Sequence, residues 1–331
     1  MEQRTLGVTG LHVTRIGVGL AALGRPGYVN LGHADDLKRN YDIAAMQALT
    51  DSVLDTAWQA GVRYYDTARS YGRGEEFLGN WLRSRNIPRS AATIGSKWGY
   101  TYTANWQVQA EVHEVKSHTL DVLQRQWNET QATLGDALDL YQVHSATLDS
   151  GILDNTAVLN ELARHKANGI ALGLSLSGAD QAATLRRALS VTIDGVRLFD
   201  VVQATWNILE PSVGAALAEA HDAGMGVIVK EALANGRLTS RNQEPTFAKQ
   251  RAVLEQQAAR LGTTLDALAL AAALAQPWAD VVLSGAATVE HLRSNLTALD
   301  VRWDDEAATA LAALAEPPQA YWTTRRAMVW N

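Results

Sequence analysis

Asp66, Tyr71, Lys97 and His144 are the side chains whose types and placement point most directly to chemistry. Asp66 ends the run Val62-Arg63-Tyr64-Tyr65, Lys97 follows Thr93-Ile94-Gly95-Ser96, and His144 follows Leu138-Asp139-Leu140-Tyr141-Gln142-Val143. Each run is short, apolar and rich in β-formers, so the three polar groups stand at predicted strand ends. Tyr71 lies on the loop leaving the strand of Asp66. In a parallel barrel the carboxyl ends of the strands open on one face, and the four groups converge. A tyrosine with a pKa of about 10 rarely exchanges its proton at pH 7. A lysine ammonium about 4 Å away, at an effective dielectric of about 20, contributes on the order of 4 kcal/mol, or roughly three pK units. Tyr71 is therefore expected near neutrality, with Asp66 keeping Lys97 charged against desolvation. His144 is expected to donate a hydrogen bond to a carbonyl oxygen. The chemistry implied is carbonyl reduction, with the phenol as proton donor. Taken singly, Asp66 and Lys97 read as a structural ion pair and His144 as a core histidine; their shared face is what favours catalysis.

The elements that must position these groups follow from periodicity. Arg4-Thr5-Leu6-Gly7 to Leu11-His12-Val13-Thr14 alternates around a Thr9-Gly10 turn, which predicts a hairpin plugging one barrel end. Ile16–Gly19 is the first predicted strand, and a long polar loop runs from Leu23 to about Asp42. Met46, Leu49, Val53 and Ala57 mark a helical face that Gly61 stops, and Val62–Tyr65 is the second strand. Further strands are predicted at Thr93–Ser96, Leu138–Val143, Ile170–Leu174, Val201–Gln203, Val227–Val229 and Val281–Leu283. Eight β/α units predict an α/β fold of the TIM-barrel type, (β/α)8, with the N-terminal hairpin capping one end, in one domain over residues 1–331.

Composition narrows the function classes. A net charge of −6 without a basic block argues against a nucleic-acid surface. The absence of cysteine excludes disulfides, thiolate catalysis and cysteine-ligated zinc, and fits a reducing compartment, so the cytoplasm is expected. The start at Met1 lacks a signal-peptide profile. Leu265 to Ala275 is too short to span a bilayer and reads as a buried helix, so no membrane association is expected. Ten Trp against three Phe is unusual, and Trp98, Trp106 and Trp206 fall in predicted strand-end loops, suggesting a pocket for a flat or apolar partner. Specificity is expected in residues 20–45 and 98–112 and the tail 317–331, with Trp98, Tyr100, Trp106, Tyr321 and Trp322 as walls.

Three motifs read more plainly than they first look. Gly17-Val18-Gly19-Leu20-Ala21-Ala22 fits a dinucleotide pattern, but Pro26 interrupts the helix that should follow, so close backbone approach is the better account. His113 and His118 are five apart, which does not share a helix face, so no metal site is expected and both read as solvated surface. Glu75-Glu76 suits a helix N-terminus better than a catalytic carboxylate pair.

Asp66-Thr67-Ala68-Arg69-Ser70-Tyr71-Gly72-Arg73-Gly74-Glu75 with Leu78-Gly79 resembles the signature of the aldo-keto reductase family, in which the Asp and Tyr belong to the catalytic tetrad. Lys97 matches the family lysine, and Asp139 to His144 resembles the segment ending in its histidine. The opening Arg4 to Leu11 and the stretch Gly285 to Asn295 are also similar to members. The resemblance implies a barrel that binds NADP(H) across its strand ends, with NAD(H) possible. It implies that Gly19 and Leu20 border the cofactor, that Ser175 and Gln203 hold the carboxamide, and that Trp206 stacks on the nicotinamide. Lys230, Ala232, Leu233, Gly236 and Arg237 would cover the pyrophosphate, while Gly285, Ala286, Ala287, His291 and Asn295 would line the adenosine end. The chain departs from the family at Leu176, usually Asn, at Ala287 and His291, often polar or basic, and at Lys230-Glu231-Ala232, commonly Tyr-Ser-Pro. For a 2′-phosphate, Lys230, Arg237 and the helix N-terminus at Thr288 are the expected compensation. The expected activity is interconversion of a small carbonyl compound and its alcohol. An NAD-dependent sugar or polyol dehydrogenase of the same fold and a cofactor-binding regulatory subunit of the channel-β type are the alternatives. The oligomeric state is left open.

Overall fold

Val201 to Thr205 is buried at every position, and a strand covered on both faces belongs in a parallel sheet with helices outside it. The computed structural model, which describes residues 1–331, satisfies that demand by closure. Its barrel strands are Ile16–Gly19, Tyr64–Asp66, Thr93–Trp98, Leu140–Ala146, Ala171–Leu176, Val201–Thr205, Gly226–Lys230 and Val281–Ser284. They are hydrogen-bonded in chain order, and the eighth pairs with the first. Parallel register places Gly19 beside Asp66, Asp66 beside Gly95, Lys97 beside Gln142, and Gln203 beside Ser175. The polar groups thus share one rim.

The hairpin forms as expected, pairing Gln3–Thr5 with His12–Thr14. Its Leu6 and Val13 pack with Tyr64, Leu140, Val201, Ile228 and Val281 in an apolar plug inside the barrel. Leu6 comes so close to the seventh strand that a Cβ on Gly226 would lie 2.6 Å from its Cγ, which is why glycine stands there. The hairpin therefore closes the end where strands begin and leaves the carboxyl ends open. Gly17 makes a second close approach, since a Cβ there would lie 2.7 Å from the Tyr64 ring.

The helix Ile43–Gln59 starts where Asp42 accepts a hydrogen bond from the Ala45 N–H at 2.9 Å, and it buries Met46, Val53, Leu54 and Ala57. Gly61 follows with φ +89°. Leu265–Leu274 is a helix whose residues Ala267 to Ala273 are all buried. Predicted strands fall in the right places, and all but the first, which matches at both ends, stop short at their carboxyl ends. The fourth continues past Val143 through a register shift before Ala146, and Ser145 within it has φ +52°. A bulge at a strand end next to a site re-aims side chains. Within the long loop, His33–Asp36 makes one helical turn. Tyr28 and Asn331 exchange backbone hydrogen bonds of 3.1 and 3.2 Å, so the chain's last residues lie across the open mouth.

Candidate active site

The mouth encloses a cavity of about 360 Å³ lined by Asp66, Tyr71 and His144, among others. Lys97 sits beneath it, wholly buried, with its ammonium on the Asp66 carboxylate and donating to the Thr67 carbonyl at 2.8 Å. Its Nζ is 4.9 Å from the centre of the Tyr71 ring. Asp66 also accepts from Gln203 at 2.9 Å, Tyr64 at 3.2 Å and Gln142 at 3.3 Å. Such density of donors is what a buried carboxylate requires. His144 sits at the bulge, edge-on to Tyr71 at 5.5 Å and to Tyr100 at 5.0 Å. Its backbone carbonyl accepts from His118 Nε2 at 2.9 Å.

The electrostatics differ from the expectation for Tyr71. Burial, and then the charge of Asp66, hold its phenol well above the usual tyrosine range. Lys97 is engaged by Asp66 and Thr67, so its field is largely neutralised before it reaches the phenol. Burial also lowers Lys97, with Asp66 opposing. Burial and the nearby Lys97, Lys230 and Arg25 push His144 well below the ordinary histidine range, so its ring is neutral at pH 7. The site therefore holds a protonated phenol and a neutral imidazole.

Behind the rim, Glu75 is the hub of a buried network. It accepts from Ser96 Oγ at 2.6 Å and Thr130 Oγ1 at 2.8 Å and pairs with Arg69. The Arg69 N–H in turn donates to the Lys97 carbonyl at 3.0 Å. Glu75 does stand in the first turn of the helix Gly74–Ser84, but its work is to pin the third strand. The two histidines expected on solvated surface are also engaged. His118 is buried edge-on to Trp98 at 5.6 Å, and His113 stacks on Trp330 at 4.1 Å.

Of the residues named for the cofactor, Gly19, Gln203, Lys230, Ala232, Leu233 and Gly285 line the mouth cavity. A second cavity of about 610 Å³ is lined by Leu233, Gly236, Gly285, Ala286, His291 and Asn295, among others. The two adjoin at Asn30, Leu233 and Gly285. Gly285 has nothing within 4 Å of where a Cβ would stand, so the junction is open. A long polar molecule with a reactive end at Tyr71 fits this groove.

Five named residues do not line it. Leu20 and Ala287 are buried in packing. Ser175 is buried, its Oγ accepting from the Ser145 N–H at 2.8 Å, so it holds the bulge; Ser177 faces the mouth instead. Arg237 is held by Glu316. Trp206 packs edge-on against Trp278 at 5.7 Å rather than over the mouth. Trp206→Leu is therefore expected to cost on the order of 2 kcal/mol of stability and to leave any cofactor-induced fluorescence quench in place. Chemical denaturation and a cofactor titration check this, and a lost quench at unchanged stability would restore the stacking role.

Among the proposed walls, only Tyr100 lines the mouth. Trp98 is buried, Trp106 donates to the Tyr41 carbonyl at 2.6 Å, and Tyr321 and Trp322 are buried near Asn207 and Glu210. Arg25, Tyr28, Arg325 and Trp330 come from the segments expected to carry specificity, though not named singly, while Glu114, Ser177 and Glu231 are walls not foreseen. Arg25 donates to Glu114 at 2.9 Å and to the Ser70 carbonyl at 3.0 Å, and its guanidinium lies 5.2 Å from the Tyr71 ring. Burial opposes ionisation of Glu231, but Arg325 and Lys230 overcome it and hold it at about 2. Burial brings Lys230 down to about 8. Lone charges in loops carry little sequence signal; the one available hint was Lys230-Glu231 directly ending a strand.

Comparison with known proteins agrees with this fold. The model of the Aldo/keto reductase family matches residues 15–316. The chain is 28% identical to the NADH-specific methylglyoxal reductase of Escherichia coli (strain K12), over 96% of this chain and 99% of that one. It is 24% identical to the L-galactose dehydrogenase of Arabidopsis thaliana, over 96% and 95% respectively. Its fold superposes on an aldo-keto reductase from Bacillus halodurans, solved in a holo form, with a TM-score of 0.74 at 20% identity, covering 96% and 97% of the two chains. No helix is long and apolar enough to cross a membrane.

Proposed function

The chain belongs to the aldo/keto reductase family, and from that premise we propose that it interconverts a small aldehyde or ketone and its alcohol with a nicotinamide dinucleotide. The observation carrying this is the convergence of Tyr71, His144, Lys97 and Asp66 on one mouth. When bound, the nicotinamide supplies or accepts the hydride. The protein handles the proton. In reduction, the Tyr71 phenol donates its proton to the carbonyl oxygen, and the neutral His144 donates a hydrogen bond to the same oxygen. The phenolate left behind lies beside the Lys97 ammonium, which Asp66 and Thr67 keep in place. Lys97 thus offers the phenolate a neighbouring cation whose charge Asp66 largely balances.

A raised phenol fixes the direction of the pH dependence. Below its pKa the phenol is protonated, so carbonyl reduction should stay flat from about pH 6 to about pH 9. Alcohol oxidation requires the phenolate and should rise with pH over the same window. Profiles of kcat/KM in both directions check this; reduction that falls steeply through pH 7 would mean a phenol near neutrality. A panel of aldehydes, ketones, sugars and pyridoxal-like compounds, followed by nicotinamide absorbance, tests the activity itself. Turnover of none of them, in either direction, would overturn it.

NADP(H) is the cofactor the family resemblance implies. The cations expected to hold its 2′-phosphate, Lys230 and Arg237, are engaged elsewhere: Lys230 donates to Thr205 Oγ1 at 2.7 Å in the mouth, and Arg237 is on Glu316. The choice between the two dinucleotides falls to the second cavity.

A further inference from the structure

The groove that takes a dinucleotide by its reactive end at Tyr71 leaves the adenosine end for the second cavity, an assignment that rests on the proposed function. Arg241 is the one arginine or lysine lining that cavity. Its guanidinium is already clasped by Asp36, with Nη1 donating to Oδ2 at 2.8 Å and Nη2 on Oδ1, and it donates to the Leu31 carbonyl at 3.0 Å. The Asp36 side chain is 3% exposed and that of Arg241 33%, so the carboxylate is sheltered while the guanidinium it holds borders the cavity. His291 closes the cluster, its Nε2 3.1 Å from Arg241 Nη2 and 3.7 Å from Asp36 Oδ1. A guanidinium only donates, so His291 Nε2 accepts in that contact and offers no N–H there.

The remaining charges have the wrong sign for a phosphate. Glu255 and Asp266 line the same cavity. The helix Val289–Leu296 begins at the loop after the last strand, but its first turn carries Glu290, and Thr288 already accepts from the His291 N–H. A phosphomonoester brings a charge of about −1.5 to −2 near neutral pH. It binds where paired donors of a free arginine or lysine meet it. A ribose hydroxyl, in contrast, needs only an acceptor, and a carboxylate recognises it well. The residues present fit an unphosphorylated adenosine ribose and do not fit a 2′-phosphate.

We propose that the Asp36–Arg241 pair, with His291 against it, makes this protein select NAD(H) over NADP(H) by withholding the only guanidinium at the adenosine end. Asp36 is the specificity-determining residue, although it comes from the loop before the first helix of the barrel layer and not from the strand-eight loop. NADH and NADPH titrated into the whole protein at low salt, by calorimetry, should show NADH binding at least about tenfold tighter. Asp36→Asn, which frees Arg241, should tighten NADPH by about tenfold and change NADH by less than about threefold. His291→Arg replaces the acceptor on Arg241 Nη2 with a second cation that can share Asp36, and should shift the ratio in the same sense; it decides alone if Asp36→Asn loses the native circular dichroism spectrum. Tighter NADPH than NADH in the unaltered protein, or a ratio unmoved in folded variants, overturns the selection. Binding of neither dinucleotide overturns the proposed function on which it rests.

Discussion

Tyr71→Phe should lower turnover by at least about 100-fold, the scale at which a positioned general acid contributes. The substitution removes one oxygen and keeps the ring. The contacts that place the ring, edge-on to His144 at 5.5 Å and under Arg25 at 5.2 Å, need only its face and edge. Binding of the dinucleotide should change by less than about threefold, since the groove beyond the mouth is untouched. Single-turnover hydride transfer and a binding titration separate the two quantities. A variant that keeps near-normal turnover would remove Tyr71 from the mechanism, while loss of binding together with turnover would make its role one of shape.

The second large effect is expected at Lys97. Breaking a buried pair by removing one partner leaves an uncompensated charge and costs about 3–5 kcal/mol. Lys97 is wholly buried and Asp66 is 2% exposed, so Lys97→Met belongs to that regime. Tyr64, Gln142 and Gln203 still donate to Asp66, which places the cost toward the lower end of the range. Turnover should fall as well, because the phenolate formed in reduction loses the adjacent ammonium. The double variant Asp66→Asn/Lys97→Met removes both charges and should regain much of the stability without regaining turnover. Denaturant unfolding paired with kcat measures both. Lys97→Met at native stability would contradict the buried pairing, and full turnover in either variant would contradict its catalytic part.

The sequence alone determined the framework and which polar groups stand on its rim. Eight apolar β-rich runs alternating with helical faces require a closed parallel barrel, because each run buries both faces and each helix must cover one. Asp66, Lys97 and His144 end such runs, so barrel closure brings them to one rim whatever the loops do. Their placement was legible because strand periodicity reaches across the whole chain without reference to loop conformation.

Tertiary structure decided what those groups meet. Ser145 bulges and turns His144 into the mouth, and no local pattern signals that register shift. The fifth strand runs two residues past its predicted end, which puts Ser175 behind the bulge and Ser177 in the cavity. Trp206 follows a strand as predicted, yet it packs edge-on against Trp278, from a distant turn. The acidity of Tyr71 turned on burial and on Lys97 being engaged already, neither of which is a property of spacing. The same holds for the cations. Arg25 meets Glu114 from 89 residues away, Arg237 meets Glu316 from 79, and Arg241 meets Asp36 from 205. A charge in a loop has no periodicity to place it, and its chemistry depends on whether a partner has reached it first; only the closed fold settles which guanidinium remains free to hold a phosphate.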